Sequence, residues 1–213
     1  MNIGLDPSRI LQTGFGFWGS KVLLTAVELG VFTELGDKAM TGEALGKKLG
    51  LHPRGIWDFF DCLVALGFLQ REGSGPHGLY NNTPETGTFL DKNKPSYIGG
   101  MLEMCNERLF RFWSDLGPAL KTGKPQNEIK HSQKPMFEML YEDLPRLEQF
   151  MSAMRGISFG NFQAFVMKFD FSKYKTLCDV GGATGLLSSL VAKQHPHIHC
   201  TTFDLPVVEP IAQ

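Results

Sequence analysis

The sequence predicts a mainly α-helical N-terminal domain with a winged-helix pattern, followed by the start of a doubly wound α/β domain. Two observations predict this order. Apolar residues recur at helical spacing through most of residues 8–167, interrupted by two strand-like runs around a Gly- and Pro-rich turn. Between residues 176 and 204, an apolar run leads into a glycine-rich turn, a helical stretch and a second apolar run that ends in an acid.

Composition excludes several classes of protein. The chain has 213 residues, of which 42% are hydrophobic and 20% charged, which is typical of a folded globular protein. A net charge of −1 gives no overall field that would attract nucleic acid or an acidic membrane surface. We find no signal-peptide pattern and no run of 18 apolar residues, so we expect no membrane partner. Four cysteines without a C-x-x-C pair predict a reduced, cytoplasmic protein without a disulfide framework.

The first elements are helical. Residues 8–35 carry apolar side chains on more than one helical face, and we expect a second copy of the chain to bury part of them. Thr41 opens a short helix that ends near Gly50. Pro53 then starts a second helix, which Gly67 ends.

Two strands complete the winged-helix pattern. Residues 68–71 and 79–83 have strand-like composition and flank the turn from Gly73 to Gly78. The sequence thus places helix, helix and a two-stranded wing in succession.

The second half of the chain returns to helical spacing before it changes character. Residues 95–122 and 135–167 predict helices, whereas residues 122–134 are polar and predict a linker or loop. We therefore divide the chain into a helical domain, residues 1–134, and linker helices with the first part of an α/β domain, residues 135–213.

A glycine-rich turn follows the predicted strand 176–180, in which we expect Cys178 to be buried. Gly181, Gly182 and Gly185 permit positive φ and let a ligand approach the backbone closely. The helix that follows offers unsatisfied N–H groups to a carboxylate or phosphate.

An acid at the end of the next strand narrows the range of candidate ligands. Asp204 is placed to accept hydrogen bonds from two vicinal ribose hydroxyls. The dinucleotide pattern G-x-G-x-x-G fits poorly, because it would need glycine at Ala183 and Leu186. Asp179 suits an ammonium group better than a pyrophosphate. These features predict an amino-acid-bearing nucleoside, S-adenosyl-L-methionine (SAM), although a glycine-rich turn that binds no ligand has the same local pattern.

These residues resemble the small-molecule O-methyltransferases that carry an N-terminal winged-helix dimerisation domain, a family of plant phenolic, acetylserotonin-type and bacterial polyketide enzymes. The resemblance covers essentially the whole chain. It is carried by Glu28–Phe32, Leu66–Leu69, Tyr80–Thr83, Phe150–Met154 with Ser158, Asp179–Gly185 and Phe203–Pro206. The glycine loop followed by Asp204-Leu205-Pro206 is specific evidence for this family, whereas the wing alone is weak evidence.

The resemblance implies a Rossmann-like class I methyltransferase domain and a role for particular residues. Asp179, Gly181 and Gly182 would line the methionine end of SAM, and Ser158 would bind its carboxylate. Asp204 would hold the ribose, with Leu205 beside the adenine. Three residues would border a small-molecule acceptor, although ordinary core packing explains them as well: Phe150, Met154 and Trp113.

The resemblance also implies what this stretch of sequence does not contain. The family has further strands and a histidine general base in the part that would follow Gln213, so no residue here is assigned as the catalytic base. We therefore expect these 213 residues to be inactive alone. Oxygen is the target atom by resemblance only, which leaves sulfur and nitrogen open.

Three other hypotheses compete with a SAM-dependent methyltransferase. Residues 41–72 carry four basic and four acidic residues, so they lack the basic footprint of a winged-helix DNA-binding regulator, and we expect no nucleic-acid partner. A non-catalytic dimerisation or SAM-sensing protein would share the glycine loop. His195, His197 and His199 would share one face of a strand, as metal ligands do, but Pro196 and the lack of a nearby carboxylate favour a solvated strand entry.

Overall fold

The structure is a computed structural model that describes residues 4–132 and 134–212, and the side chains of residues 131 and 132 are not described. Residues 1–3, which belong to the stretch inspected for a signal peptide, lie outside the described residues, as do residue 133 and Gln213. The chain divides into two compact units, Met1–Asn106 and Glu107–Gln213. This division precedes the boundary between residues 134 and 135 that the sequence suggests for the functional domains, and that boundary stays a prediction.

The first unit is helical with one small sheet. Its helices and strands, in chain order, are α1 (Ser8–Glu28), α2 (Val31–Leu35), β1 (Met40–Thr41), α3 (Gly42–Lys48), α4 (Pro53–Ala65), β2 (Leu69–Glu72), β3 (Leu79–Asn82), α5 (Pro84–Phe89) and α6 (Gly99–Met104).

Local sequence explains most of these bounds. Gly30 adopts a left-handed conformation with φ of 73°, which separates α1 from α2 within the predicted helical stretch 8–35. The Thr41 hydroxyl accepts a hydrogen bond from the Ala44 amide and caps α3 as predicted. Pro53 is the first residue of α4, and Gly67, at φ of 78°, follows its end.

The sheet has three antiparallel strands in the order β1-β3-β2. The hairpin of β2 and β3 confirms the two predicted strands, and Leu69 pairs with Asn82 while Glu72 pairs with Leu79. The third strand, β1, was not predicted, because two residues are too few to show a periodicity. The helices pack on this sheet around Phe32, Phe60 and Tyr80, which are fully buried.

The second unit combines helices with a two-stranded parallel sheet. Its elements, in chain order, are α7 (Phe110–Trp113), α8 (Leu116–Thr122), α9 (Ile129–Ser132), α10 (Met136–Tyr141), α11 (Leu144–Lys168), β4 (Thr176–Val180), α12 (Leu186–Gln194), β5 (His199–Phe203) and α13 (Glu209–Ala212). A π-helical turn, Cys105–Leu109, precedes α7.

Most of the polar segment predicted as a linker or loop has no regular secondary structure, and residues 129–132 form a short helix. This helix is α9, and Glu128 just before it is nearly buried against the Arg108 guanidinium, with Nε to Oε1 at 2.8 Å. An ion pair between distant positions holds this segment, and apolar periodicity does not reveal such a contact.

Helices cover one face of the parallel sheet. Val166 of α11, Val191 of α12 and the nearby Ile198 form a buried cluster with Leu177 and Cys200 on the strands. The opposite face is exposed within this unit.

The prediction that Cys178 is buried is therefore wrong, because this thiol points to the uncovered face. Val180 and Phe203, which pair across β4 and β5, are 73% and 63% exposed on the same face. Among the described residues, no helix has the length and hydropathy required to cross a membrane.

Candidate cofactor-binding site

The candidate site begins where β4 and β5 end together. The strands run in parallel with Val180 beside Phe203, so the loop after β4 and the acid after β5 meet at one edge of the sheet. The Gly181 amide donates to the Phe203 carbonyl at 2.8 Å. The loop then reaches α12 through Gly185, whose φ of 67° is left-handed.

Glycine is required at position 182 because neighbouring atoms lie too close to leave room for a side chain, and not because of its φ. A Cβ atom at this position would lie 2.6 Å from Thr202 Cγ2 and 2.9 Å from Asp179 Oδ2. The next residue, Ala183, adopts a φ of 48°, which is uncommon for a residue with a side chain. The loop thus passes closer to β4 and β5 than any residue larger than glycine would allow at position 182.

Asp204 ties the two halves of the site together. Its Oδ2 accepts a hydrogen bond from the Ala183 amide at 2.8 Å, and its Oδ1 accepts one from the Leu205 amide at 2.8 Å. A carboxylate has about four lone-pair sites, so each oxygen keeps capacity for a ligand hydroxyl. The sequence predicted only a ligand-binding role for this acid, and the contact with the glycine loop is an additional, structural one.

Asp179 lies beneath the loop as a half-buried carboxylate. No hydrogen bond to its side chain is present among the described residues. Burial raises the pKa of this carboxyl above its ordinary value, and the negative charge of Asp204 raises it further. A carboxylate without a hydrogen bond among the described residues, next to a second acid, favours a cationic ligand at this position.

A cleft of about 160 Å³ lies between the glycine loop and α11. The loop side of the cleft consists of Asp179, Gly181, Gly182, Ala183, Thr184 and Leu186, and the helix side of Met151, Met154, Arg155, Ser158 and Phe162. The helix residues recur every three or four positions, so they occupy one face of α11.

The cleft brings together five of the residues that the sequence singled out. Asp179, Gly181, Gly182, Ser158 and Met154 all line it. These assignments as ligand-binding residues stay predictions, since the geometry gives their positions and not their ligand.

Four other predicted residues do not line the cleft. Asp204 reaches the glycine loop through its hydrogen bond to Ala183, and Leu205 beside it is 49% exposed. Phe150 packs in an apolar cluster with Leu147 and Val208, and its ring lies edge-on to Phe137 at 6.1 Å. Trp113 on α7 is 67% exposed.

Several cleft residues were missed by the sequence analysis. Arg155, Met151 and Phe162 share the face of α11 that carries Ser158 and Met154. A helical projection of residues 144–168 would have grouped them, because they stand at spacings of three and four from the two residues already chosen.

Two of the three alternating histidines, His195 and His197, make local side-chain contacts. The His195 ring lies 4.7 Å from the Phe171 ring, and its Nε2 lies 2.9 Å from the Val166 carbonyl oxygen. The His197 Nε2 lies 3.3 Å from the Phe171 carbonyl oxygen. Among the side chains that the structure describes, which exclude those of residues 131–133, no cluster of three or more His, Cys, Asp or Glu residues could hold a metal ion.

Comparisons with known proteins match both halves of the chain. Residues 113–213 match the O-methyltransferase domain family, and residues 11–92 match the O-methyltransferase dimerisation domain family. The tetracenomycin polyketide synthesis 8-O-methyl transferase TcmO of Streptomyces glaucescens is 39% identical over 207 residues, which is 97% of this chain and 59% of that protein. The N,N-dimethyltransferase OxyT of Streptomyces rimosus is 32% identical, with 95% of this chain and 58% of that protein covered.

Solved structures agree with the sequence comparisons. Human N-acetylserotonin methyltransferase in complex with SAM superposes with a TM-score of 0.87 at 27% identity, and the match covers all of this chain and 64% of that one. LaPhzM superposes with a TM-score of 0.84 at 25% identity, covering 96% of this chain and 60% of that one. The chain thus spans about three fifths of the length of these relatives.

Proposed function

This chain belongs to the O-methyltransferase family that joins a dimerisation domain to a methyltransferase domain, and on that premise we propose that it binds SAM and directs its methyl group to a hydroxyl of a small aromatic molecule. The observation that carries the proposal is the arrangement of Asp179, Gly182 and Asp204 at the shared end of β4 and β5.

The residues of the cleft fit the proposed cofactor. The half-buried carboxylate of Asp179, next to a second acid, would bind the ammonium group, and the Ser158 hydroxyl on the opposite wall would bind the carboxylate. Gly181 and Gly182 would let the backbone approach the amino-acid part of the ligand. The free lone pairs of Asp204 would accept the ribose hydroxyls, with Leu205 beside the adenine.

When bound, the cofactor supplies a methyl group activated on a positively charged sulfur. The protein's part is to align the acceptor oxygen with that methyl group, since positioning accounts for much of the acceleration of a displacement reaction. Met154, which lines the cleft, and Phe150 and Trp113, which do not, are the proposed acceptor contacts.

A base would add to this alignment. A phenol has a pKa of about 10, and a positioned general base typically contributes ~10²–10⁴-fold. The residues that line the described cleft include no histidine, and we assign no residue of this chain as the base.

We also propose a homodimer built through the N-terminal helices, with the first unit arranged as a winged helix. The match to the dimerisation domain supports it, as does a set of exposed apolar side chains on α1: Ile10, Leu11, Phe15, Phe17 and Trp18. The Phe15 and Trp18 rings stack in parallel at 4.9 Å, although Trp18 is 59% exposed. Such a surface is expected to be covered by a partner.

The same unit gives little support to DNA binding. The wing residue Arg71 donates from Nη1 to both carboxylate oxygens of Asp61 on α4, at 2.8 and 2.9 Å. Its Nη2 donates to the Gly75 carbonyl, so this cation is already engaged within the protein.

A cytoplasmic location also remains our proposal, and all four cysteines are free thiols.

Binding and transfer test the proposal together. Isothermal titration with S-adenosylhomocysteine should release or take up heat with wild-type protein and much less with the Asp204→Asn variant. Because we expect these 213 residues to be inactive alone, a longer protein that contains this sequence is incubated with labelled SAM and a panel of phenols, alcohols and amines to identify the acceptor atom. Because OxyT is an N,N-dimethyltransferase, methylation confined to amines would replace the oxygen acceptor, and absence of binding by wild-type protein would refute the proposal.

A further inference from the structure

The two walls of the cleft carry opposite charges. The loop side holds Asp179, with Asp204 close behind it, whereas Arg155 is the one cation among the residues that line the cleft. Arg155 extends from α11, one helical turn before Ser158, so both side chains reach the cleft from the same helix face.

Arg155 has little to hold it in this position. Its Nη1 lies 3.5 Å from the Thr184 Oγ1, which is at the outer limit of a hydrogen bond. Within the described parts of the chain, the ion pairs do not include Arg155, whereas Arg146 on the same helix pairs with Asp143 at 3.2 Å and Arg108 pairs with Glu128. An exposed guanidinium with a weak contact, in a cleft whose opposite wall carries Asp179, is suited to bind an anionic group of a ligand.

We propose that Arg155 binds the carboxylate of the cofactor's amino-acid part and makes the protein selective for cofactors that carry this carboxylate. The inference rests on the proposed binding of SAM in this cleft. The planar guanidinium matches a carboxylate with two parallel N–H donors, which a serine hydroxyl alone cannot provide. Asp179 on the opposite wall then binds the ammonium group, so the two charged groups fix the orientation of the ligand.

The size of the effect follows from the exposure of Arg155. A fully exposed ion pair contributes little because water and salt screen it. A two-donor contact to a bound carboxylate at the edge of a cleft lies between that case and a buried pair. We expect Arg155→Gln to weaken SAM binding about tenfold, which corresponds to about 1.4 kcal/mol.

Comparison with decarboxylated SAM isolates this contact. That compound differs from SAM only by the missing carboxylate, so wild-type protein should bind it more weakly. Arg155→Gln should bind the two compounds with more nearly equal affinity, because the variant loses affinity for SAM and not for the decarboxylated compound. A purely structural role for Arg155, such as holding Thr184, would change both affinities alike.

Two further variants serve as controls. Arg155→Lys keeps the charge without the two-donor geometry and should retain part of the preference for SAM. Arg146→Gln removes another exposed arginine of α11 and should leave both affinities unchanged. Circular dichroism of each variant verifies that the helices are retained.

The outcomes separate this inference from the proposed function. Loss of the preference in Arg155→Gln, with its retention in Arg146→Gln, supports the assignment. If wild-type protein binds SAM and Arg155→Gln keeps the full preference over the decarboxylated compound, the role of Arg155 is overturned while the proposed function stands. If wild-type protein binds neither compound, both are overturned.

Discussion

Replacing Gly182 with alanine tests the geometry of the glycine loop directly. The added methyl carbon would lie 2.6 Å from Thr202 Cγ2 and 2.9 Å from Asp179 Oδ2. Carbon atoms in contact are normally about 3.5–4.0 Å apart, so the first contact is too short by about 1 Å. Neighbouring hydrogen bonds limit the relaxation, since the Thr202 hydroxyl donates to Ser188 at 2.9 Å and the Gly181 amide donates to Phe203.

The expected cost is about 2 kcal/mol, within the range of about 1–3 kcal/mol for overpacking a folded interior. For a chain of this size each kcal/mol lowers the melting temperature by about 2–4 °C, so Gly182→Ala should melt about 4–8 °C below wild type. The same methyl would displace the Asp179 carboxylate, and affinity for S-adenosylhomocysteine should fall with stability.

Two comparison variants make the measurement decisive. Gly160→Ala on α11 adds a methyl where no atom lies within 4 Å, so it should stabilise the helix by about 1 kcal/mol. Thr202→Ser removes the Cγ2 atom that causes the shortest contact and keeps the hydroxyl, so Gly182→Ala should cost less in that background. Thermal unfolding followed by circular dichroism gives the melting temperatures. A Gly182→Ala variant as stable as wild type, or no recovery with Thr202→Ser, would show that this contact is not what excludes a side chain.

Three further predictions concern single residues. Gly181→Ala should cost about 1 kcal/mol, visible as a melting temperature about 2–4 °C lower, because φ is 75° there while no atom lies within 4 Å of the added carbon. Asp179→Asn should weaken S-adenosylhomocysteine binding without lowering stability near neutral pH. Because the pKa of Asp179 is raised in the folded state, the wild-type protein should lose stability as the pH rises from the ordinary aspartate pKa through the raised value. This component of the pH–stability curve should be absent from the variant. Tyr80→Phe removes the 2.6 Å hydrogen bond from the buried phenol to the half-exposed Asp61. The free energy of unfolding, measured by urea titration, should fall by about 1 kcal/mol. No change would mean that the hydrogen bonds from Arg71 are sufficient for Asp61.

Local signals in the sequence predicted much of the fold. Thr41 and Pro53 start helices where capping and proline preferences place them, and Gly67 ends one. The strands of the hairpin lie within one residue of the predicted positions, and β4 spans residues 176–180 as predicted. These features depend on neighbours in sequence, which is the information that a periodicity or a cap contains.

Other features depend on residues far apart in the chain. β1 exists because Met40 and Thr41 pair with Tyr80 and Leu79. The polar segment 122–134 is held by the ion pair from Arg108 to Glu128. The exposure of Cys178 depends on which face of the sheet the helices cover, and alternation along a strand does not say which face that is.

The glycine loop and the acid after β5 are determined by sequence alone, because a strand, a turn of glycines and a second parallel strand bring their ends to one edge of a sheet. The tertiary structure decided which residues face that edge. It placed Arg155 and Ser158 of α11 opposite Asp179, and it used Asp204 to hold the loop through the Ala183 amide. The angle at which a helix packs on a sheet depends on side chains from several elements at once, so the wall opposite the loop could be identified only in the folded chain.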